Sequence, residues 1–229
     1  MKLGNSISTA TFVSRPNHFL ILAKHGNGLV KCHFPNPGRM EELLRPGAIV
    51  ALNESASPTR KTAFDTVAVF TGKLWVSIDS RIPNQLVKQA LEARELVGFK
   101  LYSQVKPESP FRHSRFDFLL KSKSANCLLE VKSCTLVVNK VAIFPGAPTD
   151  RGRKHLLDLI KAKKSGYRAY VLFVIQRSDA VAFSPNAKTD PKFAETLKLA
   201  ADEGVEVNAR RCRVRNFQIH LGERVPVLI

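Results

Sequence analysis

The sequence predicts two domains of different class: a small β-barrel over residues 1–80 and a mixed α/β layer domain over residues 81–229. Three observations predict this. Up to residue 80 the apolar residues fall in short alternating runs separated by Gly, Pro and Asn, the pattern of short strands. Beyond it, stretches of helical period alternate with strand-like runs, the pattern of helices laid on a sheet. The charge divides at the same place. Residues 1–80 hold nine Lys and Arg against five Asp and Glu, net +4, whereas residues 81–229 hold twenty-seven against fourteen, net +13.

In the first part, STATFVSR, HFLILAKH and LVKCHF read as strands, the last two joined by Gly26-Asn27-Gly28 as a hairpin. PNPGRMEELLRPGA follows, where Pro-Gly breaks on both sides leave room for about one helical turn at residues 39–44. AIVALNES, FDTVAVFT and LWVSID add three more strands. Five or six short strands with one small helix suggest a barrel of the oligonucleotide-binding type, with a small sandwich as the alternative.

In the second part, Asn84 precedes QLVKQALEAREL, where Leu86, Ala90, Ala93 and Val97 recur at helical spacing and Gly98 closes the helix. A strand is expected near KLYSQV, two more within residues 115–133, and another near VVNKVAIF. Thr149 and Asp150 cap a helix through RGRKHLLDLIKAKKSG, ended by Gly166. YRAYVLFVIQ is almost continuously apolar, as a strand covered on both faces must be. DPKFAETLKLAADEG reads as a helix, with strands near VEVNAR and FQIHL after it.

No run approaches the eighteen or so apolar residues of a membrane span, and the N-terminus lacks a secretory pattern. Cys32, Cys127, Cys134 and Cys212 lie far apart with no C-x-x-C pair, which predicts reduced thiols in a cytoplasmic protein. The overall charge of +17 favours polyanionic partners, because each phosphate neutralised releases condensed counterions. Charge alone allows either DNA or RNA.

Residues 115–133, RFDFLLKSKSANCLLEVKS, place three charges where apolar side chains would pack better: Asp117, Glu130 and Lys132. Residues two apart on a strand share a face, so Glu130 and Lys132 project together. The KSKSAN link is long enough to lay the two strands side by side and bring Asp117 to Glu130. Two such carboxylates repel unless a cation joins them, and Mg²⁺ or Mn²⁺ is held in this way by one or two carboxylates, waters and a substrate phosphate. Asp117 and Glu130 are thus the expected metal ligands, with Lys132 placed to assist a water and neutralise developing charge. An Asp followed by Glu-x-Lys on adjacent strands is the signature of the PD-(D/E)-x-K, restriction-endonuclease-like fold. The same pair Glu130 and Lys132 on a solvated strand would be an ordinary ion pair.

CHFPNPGRM, LLRPGA, SRFDFLL, CLLEVKSCTLV, AIFPGAPTDRGRKHLLDL, AFSPN and GVEV, in this order, resemble the sugar fermentation stimulation protein A (SfsA) family of bacteria and archaea. The resemblance runs nearly the full length. It implies an oligonucleotide-binding-type barrel joined to a nuclease-like domain, association with DNA, and nuclease-like roles for Asp117, Glu130 and Lys132. It also implies a helix carboxylate where this sequence has Gln89; Glu92 lies one turn away, but its helical angle points it away from the apolar face.

The DRGRKHL segment adds Arg151, Arg153, Lys154 and His155 at a helix N-terminus, a candidate phosphate clamp, with His155 a candidate general acid. Arg39 in the barrel's Asn-Pro-Gly-Arg turn is a further candidate for phosphate or interdomain contact. Two functions remain open: a metal-dependent nuclease, or a catalytically idle nuclease fold that regulates sugar metabolism by binding DNA.

Overall fold

The computed structural model describes residues 1–55 and 59–229. Its first domain contains β1 (Ile7–Asn17), β2 (Leu20–His25), β3 (Gly28–His33), β4 (Ile49–Glu54), β5 (Phe64–Phe70) and β6 (Trp75–Ser77). Hydrogen bonding runs in the order β3-β2-β1-β4-β5-β6, and β3 also pairs with β5 through Cys32↔Phe64 and His33↔Asp65. That pairing closes the first five strands into a barrel, so the sandwich alternative does not hold. Inside lie Phe12, Ile21, Phe34, Val50, Leu52 and Val69.

The helical turn expected at residues 39–44 forms as a single hydrogen-bonded turn over residues 41–43. Met40 sits at φ 53°, outside the right-handed region, and the segment closes with Leu43 and Leu44 N–H both donated to the Met40 carbonyl. The arginine that holds this turn is Arg15. Its guanidinium donates to the carbonyls of His18, Asn36, Gly38 and Arg39 and lies 4.5 Å from the centre of the Phe34 ring.

The second domain begins with α1 (Ile82–Glu92), followed by β7 (Gln104–Phe111), β8 (Ser114–Lys121), β9 (Asn126–Cys134), β10 (Val137–Val138) and β11 (Val141–Phe144). Then come α2 (Asp150–Lys164), β12 (Arg168–Ile175), β13 (Ala182–Pro185), α3 (Pro191–Asp202), β14 (Glu206–Arg215) and β15 (Gln218–Val225). The main sheet has the order β15-β14-β12-β9-β8-β7, with β12 parallel to both its neighbours. The apolar run of β12 occupies the sheet's interior as its composition predicts. One face packs on α1 through Leu86, Val87, Leu129, Val131 and Leu172, and the other on α2 and α3 through Leu156, Leu159, Phe173, Phe193 and Leu197.

Several boundaries differ from expectation. α1 starts at Ile82, because Pro83 suits the first helical turn, and turns away at Arg94 (φ 56°) before Gly98 is reached. The strand expected near KLYSQV lies later, at β7; its Pro107 and Pro110 are tolerated because β7 is the sheet edge. VVNKVAIF is not one strand but the hairpin of β10 and β11, turning at Asn139 and Lys140 with φ of 49° and 65°. β11 then pairs in parallel with β13, a strand the sequence pattern did not announce.

A buried polar knot fastens the two domains. Gln176, fully buried, accepts from Ser77 Oγ at 2.8 Å and donates through Nε2 to Ser133 Oγ at 3.0 Å and the Asp79 carbonyl at 3.2 Å. The chain's start also crosses over: the Met1 amino group donates to the Ile219 carbonyl, and Leu3 N–H to that of Phe217. The four cysteines are free and buried, and burial pushes every thiol up to about 12, so they are unreactive packing residues.

Candidate metal centre and nucleic-acid interface

The site forms where β8 and β9 part. Their ladder runs from Lys121↔Asn126 to Phe118↔Leu129, and one further step would set Asp117 opposite Glu130. Instead the Asp117 carboxylate takes over the pairing: Oδ2 accepts the Val131 N–H at 2.7 Å. The strand also changes face here. Phe116 packs beneath α2, whereas Phe118 and Leu120 pack with α1. In β7, Glu108 stands opposite at φ 49°, a local kink.

Around Glu130, the most buried of the three charges at 3% exposure, the partners are Lys132 and His155. Lys132 Nζ and His155 Nδ1 both lie 2.5 Å from Oε1. The other oxygen, Oε2, is buried and has no hydrogen-bond partner among the described residues. Burial pushes the Glu130 carboxyl up, but Lys132 and His155 more than offset it and hold it below the ordinary carboxylate range.

Asp117 shows the opposite balance. Burial first, then the charge of Glu130, raises its pKa from 3.8 to about 6, against the bonds from Val131 N–H and Asn84 and the charge of Lys132. Because the folded value exceeds the unfolded one, the folded chain holds the extra proton between pH 3.8 and about 6. Ionising Asp117 therefore costs stability as pH rises through that window, and a cation that replaces the proton recovers it.

The convergence of Asp117, Glu130 and Lys132 is thus as the strand pattern predicts, while two further participants lie elsewhere. Asn84, expected just ahead of the helix, lies within α1 and donates Nδ2 to Asp117 Oδ1 at 2.6 Å. Gln89 is exposed beside Leu221, and Glu92 is exposed and pairs with Lys88, so Asn84 is the α1 residue that reaches the carboxylates. His155 is not at an exposed clamp with Arg151. It is buried against Glu130 with its ring edge toward Phe116. Its spacing with Leu156, Leu159 and Ala162 on the buried face of α2 is the signal that identifies it.

The remaining basic residues stand apart. Arg151 is exposed and unpaired among the described residues. Arg153 pairs with Asp150, and Lys154 donates to the His113 carbonyl at 2.9 Å. Thr149 caps α2 by accepting the Gly152 N–H at 3.0 Å. Arg39 is exposed on the rim of a cleft of about 490 Å³ between the two domains, lined also by Glu42, Ser80, Ser133, Phe144 and Thr149. This cleft reaches the neighbours of Lys132 but not the carboxylates themselves.

Among the described residues no group of three or more His, Cys, Asp and Glu side chains is set to hold a metal. The pair nevertheless suits a hard divalent ion, which needs only one or two carboxylates when water and phosphate complete its shell. The bare Oε2 of Glu130 is the donor such an ion requires. No helix is long and apolar enough to cross a membrane among the described residues.

Comparison with known proteins agrees over the whole chain. A family profile described as the SfsA N-terminal OB domain matches residues 13–78, and one described as the sugar fermentation stimulation protein RE domain matches residues 81–218. A sugar fermentation stimulation protein homolog of Chloroflexus aurantiacus is 45% identical, covering 98% of this chain and 86% of its own. One from Clostridium perfringens is 40% identical over 100% of both. A solved structure described as Pyrococcus furiosus SfsA in complex with Ca²⁺ superposes with a TM-score of 0.91 at 28% identity, covering 100% of both chains.

Proposed function

This chain belongs to the sugar fermentation stimulation protein family, and we propose that it binds nucleic acid and cleaves its backbone at a divalent-ion site formed by Asp117 and Glu130. The observation that carries this reading is the bare, buried Oε2 of Glu130 beside a second carboxyl raised to about 6. That arrangement is short of one cation. The Ca²⁺ of the Pyrococcus furiosus relative supports it, since Ca²⁺ and Mg²⁺ both seek carboxylate oxygen.

Glu130 would hold Mg²⁺ or Mn²⁺ through Oε2, and Asp117 through a lone pair left by Asn84 and Val131. Such an ion polarises a phosphoryl oxygen and stabilises the charge that grows there. Lys132 sets a positive charge beside Glu130, in reach of a phosphate drawn to the site. Asn84 and His155 fix the two carboxylates by taking up one oxygen of each. Exposed Arg39 and Arg151, with Arg153 and Lys154, supply positive charge for a DNA backbone, read without sequence preference. Four free buried cysteines fit a reducing cytoplasm.

The idle-fold reading is favoured by a different observation: Glu130 is almost fully enclosed, and both oxygens of Asp117 already accept hydrogen bonds. A nicking assay separates the two. The protein with Mg²⁺ or Mn²⁺ is expected to nick plasmid DNA, and Lys132→Ala to slow nicking about 10²–10³-fold, the loss typical of one charge-stabilising group, while still binding the ion. Ion binding and steeply salt-dependent DNA binding without cleavage of DNA or RNA would instead assign the chain to the idle-fold reading.

A further inference from the structure

β14 carries four arginines in six positions: Arg210, Arg211, Arg213 and Arg215. The register shift between Arg210 and Cys212 adds its extra residue in β15, and alternation along β14 is unbroken. Cys212 and Val214 then pack in the core with α1, and Arg211, Arg213 and Arg215 share the opposite face. Some arginines of this domain are tied to a carboxylate, as Arg168 is to Glu206 and Arg177 to Asp179. Arg211 is tied too, to Glu223, and donates to the Ser178 and Ala180 carbonyls. Arg213 and Arg215 are exposed and make no hydrogen bond or ion pair among the described residues.

Their surroundings add positive charge. Exposed Lys2 bridges to Gln218, which is opposite Arg215, and His220 stands opposite Arg213. Arg211, Arg213, His220, Gly222 and Glu223 line a cavity of about 490 Å³. Glu223 is the one acid there, and Arg211 answers it. Gly222 keeps the wall low: a Cβ there would meet the Arg211 carbonyl oxygen at 2.7 Å. Same-face residues of a strand advance about 6.7 Å, so Arg211, Arg213 and Arg215 form a straight row of positive groups along the strand.

We propose that this face of the C-terminal hairpin, centred on Arg213 and Arg215, is a second contact for the nucleic-acid backbone, separate from the carboxylate site. It rests on the reading that the chain binds nucleic acid. A row of fixed charges on a rigid sheet suits a repeating polyanion.

The test is binding of the full chain to a labelled DNA duplex across a salt series, with Arg213→Ala/Arg215→Ala beside wild type. The slope of log affinity against log salt is expected to become shallower by about 1.8, two phosphates' worth of counterions. Arg213→Lys/Arg215→Lys is expected to restore it, and the stabilisation of the protein by Mn²⁺ to be unchanged in both. A folded Ala variant with the wild-type slope would overturn this inference and leave the proposed function standing. Wild type without salt-dependent binding to any DNA or RNA would overturn both.

Discussion

Glu130→Gln is expected to weaken Mg²⁺ or Mn²⁺ binding by about 100-fold or more, and to destabilise the protein even without the ion. Both effects come from one side chain. Its Oε1 is shared by Lys132 and His155, and its Oε2 is bare. An amide cannot serve both ends: if its oxygen takes the two donors, its NH₂ group points where the cation would sit. Losing a direct ligand exceeds the ~10–100-fold effect of losing an outer-shell partner. Removing one member of a buried ion pair costs about 3–5 kcal/mol, and the Lys132 ammonium left behind is the reason. Lys132 keeps some solvent access, which puts the cost near the lower end. In wild type, ion affinity should weaken as pH falls through about 6, because the Asp117 proton competes for the same oxygens. Calorimetric titration at two pH values and a thermal melt check all three; wild-type ion affinity in the Gln variant would contradict the assignment.

Gln176→Leu is the second substitution of large effect, and it acts on the joint between domains. Leucine keeps much of the volume but offers neither the acceptor for Ser77 Oγ nor the donors for Ser133 Oγ and the Asp79 carbonyl. Each buried partner left unsatisfied costs about 1–3 kcal/mol, so a total of about 3 kcal/mol is expected. For a chain of this size that lowers the melting temperature by roughly 6–12 °C. A melting temperature within a degree or two of wild type would show that water or repacking replaces the knot.

The features legible in the chain are those set by local pattern. β12 was recognisable because burial on both faces demands an uninterrupted apolar run. The meeting of Asp117 with Glu130 followed from two strands joined by a short polar link. What was hidden depends on distance in sequence or on a single backbone angle. Met40 at φ 53° sets the direction in which the chain enters the turn at residues 41–43, and nothing in the composition marks that angle. Asn84 reads as the residue just ahead of a helix until folding sets it within α1, 2.6 Å from a carboxylate thirty-three residues away. Pro107 and Pro110 argue against a strand unless that strand is known to lie at the edge. The basic residues of DRGRKHL look equivalent in sequence, yet the helix turns His155 inward and leaves Arg151 outside.

The central claim is that Asp117 and Glu130 form a divalent-ion site. Anomalous diffraction from crystals of the full chain soaked in Mn²⁺ tests it most directly. One strong manganese peak is expected about 2.0–2.5 Å from Glu130 Oε2 and within bonding reach of Asp117, absent in Glu130→Gln crystals. A well-ordered site with no peak there, or manganese bound only elsewhere on the surface, would contradict it.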